Sequence, residues 1–121
     1  IQPETVEAFT KRQSTMSRRG WGWDKPEPEY GKGGSASKLA PKSTFGHTGF
    51  TGTCLWVDPE FNIVYIFLSN RVYPDRSNKL ITANIRSRIQ DVIYESIFSY
   101  CDEEPADQSE PSSTVISSRR N

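Results

Sequence analysis

The sequence predicts an α+β unit, an antiparallel sheet packed on one long helix, and three observations carry that prediction. A β-branched and aromatic run fills 45–69, interrupted by a turn-forming segment at 58–62. Isoleucine and valine recur at spacings of three and four across 79–100. Between these lies almost all the core-forming material: residues 45–68 hold 13 apolar residues in 24, against 7 in 35 over 10–44 and 3 in 20 over 102–121. A hairpin and an amphipathic helix make a two-layer arrangement.

The elements follow in chain order. Pro3 suits a first helical turn, where its missing N–H would be unpaired anyway, and Glu4 favours the same end. Val6 and Phe9 then give an apolar stripe, so a short helix is expected over 3–13. In Gly20-Trp21-Gly22-Trp23-Asp24 an extended chain puts both tryptophans on one face, which reads as a short strand near 18–24. These tryptophans are expected to pack on the sheet rather than to form a ligand platform. Residues 25–44 carry prolines, glycines and serines without a period and read as a loop.

Phe45 to Val57 reads as one strand, with glycines at 46, 49 and 52. Asp58-Pro59-Glu60-Phe61-Asn62 supplies turn chemistry. Ile63 to Leu68 then follows, apolar on both faces, so 45–69 forms an antiparallel hairpin. Ile81, Ile85, Ile89, Val92, Ile93 and Ile97 form one stripe along the 79–100 helix. Lys79, Arg86 and Arg88 suggest an anion site, but with Asp91 and Glu95 nearby they read better as a solvated helix face. That helix can cover only one side of the 63–68 strand. The uncovered side predicts self-association of the isolated chain. Residues 101–121, acidic and then Ser-rich, read as a disordered tail. The domain proper is therefore expected over 1–100.

Composition removes several classes of function. Fifteen basic residues balance fifteen acidic ones in 121, so nothing argues for nucleic acid or an anionic membrane as partner. No run approaches the length of a transmembrane span, and the N-terminus carries no export signal. Such a chain is either cytosolic or cut from something longer. Cys54 and Cys101 lack metal or redox spacing and read as free thiols. No metal or cofactor is expected.

The segment that carries chemistry is Gly46-His47-Thr48-Gly49-Phe50-Thr51-Gly52, which holds the single histidine. A lone histidine on a strand is by default a structural or surface residue. Three glycines in seven residues weaken a sheet by roughly 0.5–1 kcal/mol each. That loss is tolerated where bare backbone must approach something else. A strand with exposed N–H groups and one imidazole could receive an acyl substrate, an N–H polarising its carbonyl.

This run, followed by Trp56-Val57-Asp58-Pro59, a hydrophobic strand ending Leu68-Ser69-Asn70-Arg71, and a long helix, resembles the C-terminal end of serine β-lactamase-like hydrolases. That family includes class C β-lactamases, penicillin-binding proteins, D-aminopeptidases and related esterases. Gly20-Trp21-Gly22-Trp23 resembles the strand before the motif, and 2–13 the helix before that. The resemblance covers about 1–100 and implies an incomplete β-lactamase-like fold. By it, His47 stands where the third motif of the family has its Lys or His, Thr48 offers a hydroxyl, Gly49 keeps the strand open and the Phe50 N–H is one oxyanion donor.

The family's other motifs are missing. No Tyr-x-Asn or Ser-x-Asn occurs, and the one Ser-x-x-Lys string, Ser35-Ala36-Ser37-Lys38, lies in a loop where no helix sets Lys38 one turn behind Ser35. The resemblance therefore implies a fragment whose partners are the rest of its own polypeptide and a small acyl substrate, with an envelope or periplasmic location. An imidazole, mostly neutral near pH 7, replaces a permanent cation, which moves weight from β-lactams towards esters or peptides. The rival expectation is a non-catalytic binding or regulatory module on the same scaffold, and the resemblance also permits attachment to a family 3 glycoside hydrolase domain.

Overall fold

The computed structural model describes residues 1–26 and 35–103. Its elements are α1 (Pro3–Thr10), β1 (Phe45–Thr48), β2 (Cys54–Asp58), β3 (Ile63–Phe67) and α2 (Ile85–Glu103). The α+β class stands as expected. The three strands form one antiparallel meander in the order β1-β2-β3, with Gly46 opposite Trp56 and Trp56 opposite Tyr65.

The 45–57 segment is two strands, not one. Gly49 donates to the Thr53 carbonyl at 2.9 Å and Gly52 to Gly49 at 3.0 Å, closing a tight turn over 49–53. Gly52 has φ +98°, a conformation L side chains rarely adopt. The second turn is as expected: Asp58 Oδ1 accepts the N–H groups of Glu60 and Phe61, and Asn62 takes φ 54° before β3 begins.

Three further boundaries differ from expectation. α1 stops at Thr10 because the Phe9 carbonyl accepts the Trp21 N–H at 2.8 Å, diverting the chain at Lys11. The strand near 18–24 shrinks to a single bridge between Asp24 and Gly46, since Gly22 turns the chain at φ 76°. α2 starts at Ile85 rather than Lys79 because Asn84, at φ 51°, separates it from the turns before. At its far end α2 runs through Glu103, so 101–103 are helical. The remainder of the expected tail, and 27–34 of the expected loop, lie outside the described residues.

Strand alternation sends Gly46, Thr48, Cys54, Trp56, Asp58, Tyr65 and Phe67 to one face and Phe45, His47, Leu55, Val57, Val64 and Ile66 to the other. The first face holds the core. Trp56, Cys54, Tyr65 and Ala36 pack there, with Phe67 and Ile93 against them. Gly46 lies directly over the Trp56 ring, and a Cβ there would strike the ring and the Leu55 carbonyl.

The buried side of α2 is only in part the expected isoleucine stripe. Arg86, Ser87, Gln90, Asp91 and Tyr94 are buried and Ile93 packs on the core, whereas Ile89, Val92 and, ahead of the helix, Ile81 are exposed. Hydrogen bonds explain the difference. Gln90 Oε1 accepts the Ser37 N–H at 2.8 Å, Asp91 Oδ1 accepts the Ser37 hydroxyl at 2.5 Å and the Lys38 N–H at 3.2 Å, and Tyr94 donates to Asp58 Oδ2 at 2.5 Å. The Trp56 indole N–H closes the layer on the Ser35 carbonyl at 3.1 Å. Trp23 packs edge-on against Phe45 with ring centroids 5.4 Å apart, while Trp21 is 64% exposed, so one tryptophan of the two joins the sheet.

Candidate functional site

The residues expected to form the third motif, His47 to Phe50, sit at the end of β1 and in the turn that follows. β1 has β2 on one side only, and its outer edge is met by Asp24, which exchanges two hydrogen bonds with Gly46 (2.8 and 3.0 Å). Backbone groups alternate in an antiparallel strand, so His47 pairs inward with Leu55 and Thr48 turns its N–H and C=O to the outer edge. His47 is exposed on the open face of the sheet, its Nδ1 2.9 Å from the Thr48 carbonyl oxygen. The Thr48 side chain goes to the other face, beside Cys54, so the imidazole and this hydroxyl do not share a face.

Beyond Thr48, the Gly49 N–H turns inward to Thr53, and a Cβ at Gly49 would strike the Thr53 hydroxyl. Phe50 is 62% exposed, and among the described residues its N–H meets no acceptor. The carbonyls of the turn are all but spoken for. Arg71 Nε donates to Phe50 at 2.8 Å, the Arg71 N–H to Thr51 at 2.8 Å, and Arg86 Nη1 to Thr53 at 2.9 Å and Gly52 at 3.3 Å. Two cations also flank the Phe50 ring, Arg71 at 5.0 Å and Arg76 at 4.6 Å from its centroid.

Arg86 and Asp91 therefore correct the expectation of a solvated helix face, since both are buried in hydrogen bonds. The sequence reading gave Arg71 and Arg86 no part in this turn because each acts on backbone carbonyls, which leave no signature in residue types. Cys54, buried under the same turn, has its thiol pushed up by desolvation against the pull of Arg86 and a bond with the Phe67 backbone. A thiol held neutral in this way is a packing group, not a nucleophile.

Ser35 lies in irregular chain and Lys38 in a turn, both outside any helix. The Lys38 N–H and the Ser37 side chain are engaged with Asp91, so this string serves to dock the loop on α2. A cavity of about 1280 Å³ lies between α1 and the 37–45 segment, with Val6, Met16 and Phe45 among its lining, and it includes none of His47, Thr48, Gly49 and Phe50. Among the described residues no cluster of three or more His, Cys, Asp or Glu side chains could hold a metal, and no helix is long and apolar enough to cross a membrane.

Comparison with known proteins places this geometry. The Beta-lactamase family model matches residues 2–89. Proteins of Salmonella gallinarum, Salmonella paratyphi B and Salmonella newport, each named "Putative D-alanyl-D-alanine carboxypeptidase", are 31% identical over 87 residues, covering 68% of this chain and 19% of theirs. The chain thus spans about a fifth of the length of these curated relatives. No solved structure matches it significantly. With 88 of its 121 residues inside that match, this chain belongs to the beta-lactamase family, a family of serine hydrolase type.

Proposed function

We propose that the chain is the C-terminal portion of a serine acyl hydrolase. It supplies the strand and turn that line the substrate, and the nucleophile stands on polypeptide ahead of Ile1. His47 would face the substrate or its proton network, Thr48 and Gly49 would form the open strand edge, and the Phe50 N–H would be one donor to the acyl oxyanion. The observation that carries this reading is the edge beyond Gly46, where the Thr48 N–H points outward and, among the described residues, the Phe50 N–H meets no acceptor. An acyl carbonyl laid along that edge would meet an N–H already oriented, so charge developing on its oxygen would be stabilised without reorganisation.

The reaction would run by attack of the upstream serine on the acyl carbon, expulsion of the leaving group, and hydrolysis of the acyl-enzyme by water. The relatives' name points to peptides ending in D-alanyl-D-alanine as substrates, and hence to the cell envelope as the place of action. The domain would comprise residues 1–100 of this chain together with preceding sequence. That added polypeptide would also cover the side of the sheet carrying Val64 and Ile66.

A fluorescent penicillin or a fluorophosphonate tests the reading. The 121-residue chain alone is expected to remain unlabelled, and the full-length polypeptide to be labelled at a serine outside it. Label on Ser35, or no label on the full-length polypeptide with either probe, would overturn it.

A further inference from the structure

Apart from its own Gly49 and Gly52 N–H bonds, the 49–53 turn is tied to its surroundings through its carbonyls. Phe50, Thr51, Gly52 and Thr53 all give their oxygens to protein donors, and three of these four oxygens take a bond from an arginine guanidinium. A peptide unit is planar, with its N–H and C=O pointing in opposite directions. Fixing the Phe50 carbonyl towards Arg71 therefore fixes the Thr51 N–H away from Arg71. The Gly49–Phe50 unit is held between that peptide and the Gly49 N–H bond to Thr53. Neither the Phe50 nor the Thr51 N–H meets an acceptor among the described residues.

We infer that Arg71, backed by Arg86, is a positioning residue that aims the N–H groups of this turn at the substrate's acyl oxygen. The inference rests on the acyl-hydrolase reading and adds residues to it. Arg71 holds residue 50 in three ways: Nε on its carbonyl, the guanidinium over its ring, and the Arg71 backbone N–H on the next carbonyl. Arg86 reaches the same turn from α2, so the turn is clamped between the segment after β3 and the helix. Neither arginine would touch substrate in this arrangement. Lysine could keep the charge over Phe50 but not the planar Nε donor.

The experiment uses the full-length polypeptide with a p-nitrophenyl ester as probe. Arg71→Ala is expected to lower kcat about 10- to 100-fold, short of the loss of an oxyanion donor itself, with KM within about twofold. Arg71→Lys should recover part of that loss, and millimolar guanidinium should restore part of the kcat of Arg71→Ala. Arg88→Ala, on an exposed turn of α2, should leave turnover unchanged. An unaltered kcat in Arg71→Ala overturns the inference while the hydrolase reading stands. So does a loss that tracks a lowered unfolding midpoint and answers neither to lysine nor to guanidinium. Absence of turnover in the wild-type polypeptide would remove the hydrolase reading and this inference with it.

Discussion

One sheet presents two faces finished to different degrees. On the α2 side Trp56 is 2% exposed and Tyr65 6%, and polar groups brought inside pair with one another or with backbone: Asp58 with Tyr94, Asp91 with Ser37, Gln90 with Ser37 and Arg86 with the 49–53 turn. On the other side Val64, Ile66 and, just past the strand, Leu68 are 61%, 60% and 79% exposed. The sealed face is held largely by hydrogen bonds, while apolar residues of β3 and α2 stay in water. A self-sufficient domain of this size would place its apolar surface the other way round, because hydrophobic burial is its main source of stability. The contrast supports further polypeptide on the open face, the same face that carries His47.

The sharpest way to break the contrast is to hollow out the sealed side. Trp56→Ala removes the largest buried side chain together with its bond to Ser35, and should cost about 3–5 kcal/mol. That is comparable with the whole stability of a small domain. Urea unfolding followed by circular dichroism should show no cooperative transition for the variant. A transition within about 1 kcal/mol of the parent would mean that this face is not the core.

Alkaline pH should act on the same layer with a somewhat smaller effect. Burial pushes the Tyr65 hydroxyl up to about 12, with Cys54 adding to the rise and Arg86 opposing it. The unfolded chain ionises near the ordinary value of 10. The stabilisation is therefore complete below that value and is lost as pH climbs through about 12, about 1–2 kcal/mol once the two-unit shift is discounted for solvent screening. Tyr94, buried beside the Asp58 carboxylate, is displaced in the same direction and steepens the loss. Tyr65→Phe should flatten the fall in urea midpoint with rising pH, tyrosinate absorbance marking the transition.

What the sequence made legible was local. The order of elements, the Asp58–Asn62 turn and the α+β class all follow from side-chain period and turn chemistry within a few residues. The division of 45–57 was visible in principle, since Gly49 and Gly52 bracket a turn, but the β-branched residues around them masked it. The inner face of α2 was not legible. Its isoleucine stripe predicts apolar packing, whereas Gln90 and Asp91 are drawn inside by Ser37, which is 53 and 54 residues away in a loop with no period. The motif residues of the candidate site could be named from the His-Thr-Gly run, while the arginines that grip the turn act on carbonyls and could not.

Within the sealed face, the Tyr94–Asp58 bond separates packing from polar satisfaction. Tyr94→Phe keeps the ring, which contacts Phe61 and Phe98, and deletes the hydroxyl that donates to Asp58 Oδ2 and also meets the Thr44 and Gln90 side chains. A carboxylate oxygen left without that partner in a buried site should cost about 1–3 kcal/mol. The double variant with Asp58→Asn should recover part of the loss, because the remaining group no longer carries a charge. An undiminished stability in Tyr94→Phe would mean that the ring, not the hydrogen bond, supplies the stability.

The smallest effect belongs to the open face, and there the comparison is most exposed to failure. Ile66→Ser on the isolated chain should change stability by no more than about 0.5 kcal/mol, since the side chain is already in water. The same substitution should shift sedimentation towards monomer, because an apolar edge strand is a template for pairing between copies. In the full-length polypeptide it should instead cost about 1–3 kcal/mol, the value of burying such a side chain. Ile66 thus reads the two states of one face: neutral where the strand meets solvent, costly where further chain covers it. If Ile66→Ser is equally mild in both contexts, the added polypeptide packs elsewhere, and the open face belongs to contacts between copies.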